Sequence, residues 1–309
     1  MSAPAGAQLA SSQPPPYWAY PVNPPQSSKP DPPDIVLQHV PGSGAAFTLA
    51  QIQDWNFVAD WHPEGHPVMP DIVVHGRKPE VFACGFCHLP NGQGRPENSR
   101  LAGLPVRYIV QQFADFKSGM RHCSEPKFMP PSNMNKYETH ATDEEILAAA
   151  KYFAALTPKP WIRVVETDNV PQTHVAGWML VANDPAVMEP IGHRIIETPE
   201  NLDRTELRDD QSGFIAYAPR GSIERGKALV TTGAAGRTVA CATCHGPQLK
   251  GLTAPPLAGR SPSYLVRQLY DIQSGARSGA NTHLMKPTVK KLTLDDMIAI
   301  AAYVASLNP

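Results

Sequence analysis

A chain of 309 residues has room for two compact domains with attachments. Its 27 basic and 28 acidic residues leave a net charge of −1, which gives no electrostatic case for nucleic acid or an anionic membrane surface. No apolar run is long enough to span a bilayer, and Met1-Ser2-Ala3-Pro4 has neither the basic nor the apolar region of a secretory signal.

Residues 1–45 form a proline-rich arm with Pro14-Pro15-Pro16, Pro24-Pro25 and Pro32-Pro33 among Ser, Ala and Gln. Such composition favours extended conformations and a solvated linker. Tyr17, Trp18 and Tyr20 are more aromatic surface than a tether needs. From Thr48 to Trp61, Leu49, Ile52, Trp55 and Val58 share one side of an expected helix.

Cys84-Gly85-Phe86-Cys87-His88 follows. This is the attachment signature of c-type haem. Two residues between the thiols let one helical turn present both sulfurs to one porphyrin edge, and the adjoining His reaches the iron from the same turn. Zinc sites normally pair two Cys-x-x-Cys halves over a shorter stretch than this chain offers, and a redox dithiol needs a βαβ context that is absent here. Val106, Ile109, Val110, Phe113 and Phe116 then recur at helical spacing. Thr142 with Glu145 forms a capping box ahead of Ile146, Leu147, Ala150, Phe153 and Leu156.

Residues 159–220 are too long for a plain connector. Val164-Val165, Ile195-Ile196 and the stretch from Thr173 to Val181 favour strands, so a small strand-containing insert is expected. Asp203 to Asp210 alternates charge and reads as solvated surface. His62, His66, His75, His140, His174 and His193 are scattered and are read as surface or packing residues.

Cys241-Ala242-Thr243-Cys244-His245 repeats the haem signature. The repeat extends further, because Leu101-Ala102-Gly103 recurs as Leu257-Ala258-Gly259. At that same shift Tyr108 matches Tyr264, Gln112 matches Gln268, Asp115 matches Asp271, Arg121 matches Arg277 and Met129 matches Met285. Ser261-Pro262 caps a second helix carrying Leu265, Val266, Leu269 and Ile272, and Thr293 with Asp296 caps a last one.

The iron held by each His needs a second axial ligand or an open site. A thioether raises the potential and suits electron transfer. Met129-Pro130-Pro131 and Met285-Lys286-Pro287 stand at nearly the same interval after their His residues, so Met129 and Met285 are the expected ligands. Met134, Met120, His122 and Cys123 compete in the first unit, and His283 in the second.

On these motifs the chain resembles the bacterial two-domain dihaem cytochromes c, tandem class I folds known as the cytochrome c4 group. The resemblance covers about residues 71–158 and 221–309. It implies that a first helix crosses the last through Gly226 and Tyr303, with Tyr152 as the matching aromatic of the first unit. It also implies a backbone carbonyl ahead of the Leu-Ala-Gly stretch that orients the proximal His; Pro255-Pro256 fits that pattern in the second unit, and the first unit departs from it with Ser99-Arg100 at those places.

The expected architecture is therefore mainly α. The arm (1–45) precedes a first cytochrome c domain (46–158), the insert (159–220) and a second cytochrome c domain (221–309). Cys84, Cys87, Cys241 and Cys244 would bind two haems c, with iron held by His88/Met129 and His245/Met285. By resemblance the function is electron carriage between redox proteins in the periplasm or another exported location, after removal of an export signal. The alternatives are a dihaem oxidoreductase acting on peroxide or a sulfur compound, and a cytochrome subunit docked on a larger dehydrogenase or oxidase.

Overall fold

The computed structural model describes residues 14–25, 35–183 and 187–309. A short ladder pairs β1 (Leu37–Gln38) with β2 (Phe47–Thr48). The helices of the first half are α1 (Leu49–Gln53), α2 (Asp71–Val74), α3 (Cys84–His88), α4 (Val106–Lys117), α5 (Met129–Lys136) and α6 (Asp143–Ala155). The insert carries β3 (Ile162–Glu166), β4 (Asn169–Pro171), β5 (Thr173–Ala176), β6 (Met179–Ala182), β7 (Met188–Pro190), β8 (Ile196–Pro199), α7 (Leu202–Glu206) and β9 (Phe214–Ala218). The second half has α8 (Ser222–Thr232), α9 (Ala242–His245), α10 (Pro262–Ser274), α11 (Thr282–Val289) and α12 (Leu294–Ala305).

Two helical units of one design are thus joined by the strand-bearing insert. In the first, α4 and α6 bury Ile109, Phe113, Ile146, Ala149, Ala150 and Phe153 against each other. In the second, α8, α10 and α12 share a core that includes Leu229, Val266, Met297 and Ala301 and continues into the insert through Ile195 and Ile196. The three expected caps form. Thr142 accepts from Glu145 N, Ser261 from Tyr264 N, and Thr293 from Asp296 N. Each satisfies an N–H that the first helical turn leaves unpaired.

The insert's principal sheet has the order β3-β9-β8. Ile162 to Glu166 runs parallel to Phe214 to Ala218, and β8 closes the other side of β9 antiparallel. The entry to and exit from the insert therefore lie side by side, and β9 leads directly into α8. Thr173 to Ala182 makes the hairpin β5-β6, turning at Gly177 and Trp178, both with positive φ.

Three expectations fail. The helix from Thr48 stops at Gln53, because Asp54 accepts from Asn56 N at 2.8 Å and starts a turn that competes with the helical ladder. Trp61 is then free to pack with Phe47 and Ile52 in a separate small core. Asp203 to Asp210 is not solvated surface, since Thr205, Asp209 and Asp210 are buried.

The arm is not a solvated linker over residues 16–20. Ala19 N bonds Pro16 O at 2.9 Å, and Trp18, Ala19 and Tyr20 are buried. The Tyr20 ring packs edge-on against Phe128 of the first unit and Tyr270 of the second. Its hydroxyl donates to Asp271 Oδ1 at 2.8 Å, Arg267 Nη1 donates to Ala19 O at 2.7 Å, and Trp178 N donates to Asn23 Oδ1 at 2.8 Å. Composition hides this, because three aromatics outweigh many prolines in buried area. Residues 1–13 and 26–34 of the arm, including Pro32-Pro33, lie outside the described residues.

Tyr20→Phe keeps the ring packing and deletes only the donor to Asp271. Chemical denaturation should show a loss of about 1–3 kcal/mol. An unchanged midpoint would mean that this hydroxyl contributes nothing to holding the arm.

Candidate functional site

Each Cys-x-x-Cys-His segment forms a single helical turn, α3 and α9, so both thiols and the imidazole leave one short element. In the first unit Cys84, Cys87 and His88 line one cavity with Leu104, Phe113 and Phe153. His88 Nδ1 lies 2.8 Å from Ser99 O, and His245 Nδ1 lies 2.7 Å from Pro255 O. A carbonyl can only accept, so Nδ1 carries the proton and Nε2 keeps its lone pair for a metal. Ser99 and Pro255 therefore play one role through backbone alone, despite different side chains.

Burial pushes the His88 imidazole down to about 4 against the opposing pull of the Ser99 carbonyl, and it lowers His245 in the same way. Both rings are neutral at physiological pH, the state that binds iron. His245 Nε2 is buried and has no hydrogen-bond partner. A buried imidazole nitrogen with a free lone pair, on the same turn as two thiols, is the donor set that haem c requires.

The sixth position separates two methionines in the first unit. Met129 begins α5, is 41 % exposed and stands outside the cavity lining. Met134, five residues further along α5, lines the cavity with Pro130 and Pro131. His122 also lines it, and its Nδ1 is 3.3 Å from Gly119 O. Cys123 is buried among Tyr20 and Phe128, where burial pushes the thiol up to about 12, so it stays protonated. In the second unit Met285 lies within α11 and packs partly buried against the core.

A second register of the repeat points the same way. Counted back from the caps Thr142 and Thr293, Met134 and Met285 stand the same number of residues upstream, whereas Met129 matches Met285 only when counted from the Leu-Ala-Gly stretches at 101–103 and 257–259. The first unit carries extra residues between these two anchors. The register nearer the ligand loop is the one that α5 and α6 obey.

The two units meet through the polar positions that the repeat shares. Arg121 donates to Gln112 within its own unit at 2.7 Å, and reaches Tyr264 Oη at 3.3 Å and Gln268 Oε1 at 3.2 Å in the other. Arg277 mirrors it, donating to Gln268 at 2.8 Å, Tyr108 Oη at 2.9 Å and Gln112 Oε1 at 2.8 Å. The backbones of Arg121 and Arg277 form an antiparallel bridge between the units. Sequence reading noted these identities but gave them no task. Their recurrence as polar residues at matching places of both repeats was the available signal.

Arg100 and Arg260 extend this positive seam, with Arg100 Nη2 donating to Ala258 O and Arg260 Nη1 to Arg100 O, each at 2.9 Å. Among the described residues none of Arg100, Arg121, Arg260 and Arg277 forms an ion pair with a carboxylate. Arg100 Nε and Nη1 are buried without any hydrogen-bond partner. Burial alone would raise the Tyr264 phenol, but Arg121, Arg277 and Arg260 around it pull it down. Buried cations in such number want anions. Arg121, Arg267 and Tyr264 line the first cavity, so the seam has the charge to receive the carboxylates of a porphyrin.

The family model for cytochrome c matches residues 223–308. A thiosulfate dehydrogenase electron acceptor from Stutzerimonas stutzeri is 26% identical over 75% of this chain and 82% of its own length. A cytochrome c4 from Azotobacter vinelandii is 25% identical over 74% of this chain and 86% of its own. Cytochrome c-554(548) from Halomonas halodenitrificans is 38% identical over 68 residues, which cover 21% of this chain and 82% of that protein.

Proposed function

Because this chain belongs to the cytochrome c family, we propose that its two repeats divide the work of one electron relay, with His88 and Met134 as axial ligands in the first unit and His245 and Met285 in the second. The protein is a dihaem electron-transfer cytochrome with two covalently bound haems c. Haem c supplies one-electron chemistry between ferric and ferrous iron. Residues 46–158 and 221–309 are the two haem domains of this reading, and 159–220 connects them.

The protein's own groups do the rest. Cys84, Cys87, Cys241 and Cys244 anchor the porphyrins. The Ser99 and Pro255 carbonyls hold each imidazole in one tautomer and orientation, which leaves its Nε2 lone pair to hold iron. Phe113 and Phe153 exclude water from the first cavity. Arg121, Arg267 and Tyr264, on the wall of the first cavity at the seam between the units, would hold the propionates of the first haem. The observation that carries the reading is the duplicated His–carbonyl pair with Nε2 of His245 left without a partner.

Redox partners follow from electron transfer itself. That a relative accepts electrons for thiosulfate dehydrogenase supports a larger oxidoreductase as donor. Covalent haem attachment, performed outside the bacterial cytoplasm for this family, supports an exported, periplasmic location. Among the described residues no helix is long and apolar enough to cross a membrane.

Intact mass of natively matured protein should exceed the polypeptide by two haems, and a potentiometric titration should show two one-electron steps. A five-coordinate haem that turns over peroxide or a sulfur compound would replace the relay with an enzyme.

A further inference from the structure

Away from the haem cavities, His62, Asp209 and Asp210 are drawn together where the N-terminal segment meets the insert. They are 2 %, 2 % and 9 % exposed, and one ligand atom of each lies within 4.8 Å of the other two. The chain around them is well fixed. Trp61 Nε1 donates to Leu207 O at 2.7 Å, and Asn91 Nδ2 donates to Asp210 O at 2.5 Å. Arg208 lies over the Phe86 ring at 3.5 Å and donates to Phe86 O at 2.9 Å. The cluster thus stands directly behind the first haem-attachment turn.

The donor spacing admits a metal ion in place of the hydrogen bond that joins His62 Nε2 to Asp209 Oδ1. His62 Nε2 and Asp209 Oδ1 are 3.1 Å apart, close to the separation of two donors that share one metal at about 2.0–2.1 Å. Asp209 is itself held by partners in the way metal-binding carboxylates are, with Arg204 Nε at 2.6 Å from Oδ2 and Gln211 N at 2.9 Å from Oδ1. Asp210 Oδ1 is buried and has no hydrogen-bond partner at all. A buried carboxylate oxygen left bare beside a second carboxylate is costly unless a cation joins it. Asp60 and His66 stand close by but bond to each other at 3.1 Å.

We propose that His62, Asp209 and Asp210 bind one divalent transition-metal ion of the zinc class, with water completing the coordination, as a structural clasp between the N-terminal segment and the insert. The imidazole selects against magnesium and calcium, which take oxygen donors alone. The clasp shares no ligand with either haem and stands whatever the axial ligands of those haems prove to be.

The test uses the matured dihaem protein, stripped with a chelator and titrated calorimetrically with zinc chloride. One equivalent of zinc per two irons should bind and raise the thermal midpoint, while magnesium and calcium chloride at the same concentrations do neither. Asp210→Asn should weaken zinc binding at least about tenfold with the haem spectrum unchanged. The proposal is overturned if stripped wild-type protein takes up no zinc, if calcium or magnesium binds as well, or if Asp210→Asn and His62→Gln retain wild-type affinity. The wild-type titration decides the matter by itself should either variant fail to mature.

Discussion

Gly226→Ala should cost the second unit at least about 3 kcal/mol, the upper range for forcing atoms into a filled core. Gly226 sits where α8 crosses α12, and a Cβ there would penetrate the Ala299 carbonyl and come within 2.7 Å of Tyr303 Cβ. Neither neighbour is the free end of a flexible chain. The oxygen belongs to a helix buried along most of its length, and moving it would shift Met297, Ala301 and Val304 out of the core. Relief would require the helices to part, which forfeits the burial of Leu229 and Val230 as well. Denaturation followed through haem absorbance should show the destabilisation, together with a lower yield of protein carrying the second haem. Gly44→Ala is the matched control. Nothing lies within 4 Å of its added methyl and its φ is not positive, so it should stay within about 0.5 kcal/mol of the parent. Equal stability of the two variants would contradict the tight crossing.

The second large effect concerns the first haem's sixth ligand. Met134→Ala should abolish about half of the long-wavelength charge-transfer band that marks thioether-ligated ferric haem, because one of two such bonds is lost. It should also lower one of the two reduction potentials by on the order of a hundred millivolts or more, within the ~0.8 V span that axial ligation controls. Met129→Ala should leave band and potentials unchanged, since that side chain is exposed and outside the cavity. The reverse pattern would restore Met129 as the ligand. An intact band in both variants would point to His122, the remaining donor on the cavity wall.

The haem chemistry was legible in the sequence because it depends on contiguous residues. Cys-x-x-Cys-His folds as one turn and needs nothing from elsewhere, and the caps at Thr142, Ser261 and Thr293 are equally local. The Gly226 crossing was expected only from the resemblance to the dihaem cytochromes, and the structure supplies its reason, since only a residue without a Cβ fits there. The strand pairs of the insert were visible as β-branched runs, but their pairing was not. Nothing local says that Ile162 should find Phe214.

What the sequence concealed depends on distant partners. Tyr20 is buried only because Asp271 and Phe128 wait for it, and Asp209 and Asp210 only because His62 does. A charged stretch reads as surface until the opposing groups are known. Met129 was favoured because a repeat was read from one end alone. An insertion ahead of α5 is invisible unless the repeat is also anchored at the far cap, and counted from there Met134, the ligand proposed above, is the match for Met285.

The Arg121–Arg277 seam has one more consequence. Arg121 grips the opposite unit as Arg277 grips its own opposite, the reciprocity of an isologous dimer interface. Here both halves lie on one polypeptide, so their association is intramolecular and independent of how dilute the molecule becomes. Hopping of an electron from one porphyrin to the other should then proceed at one rate from nanomolar solution to saturation, with no monomer–dimer equilibrium to interrupt the circuit.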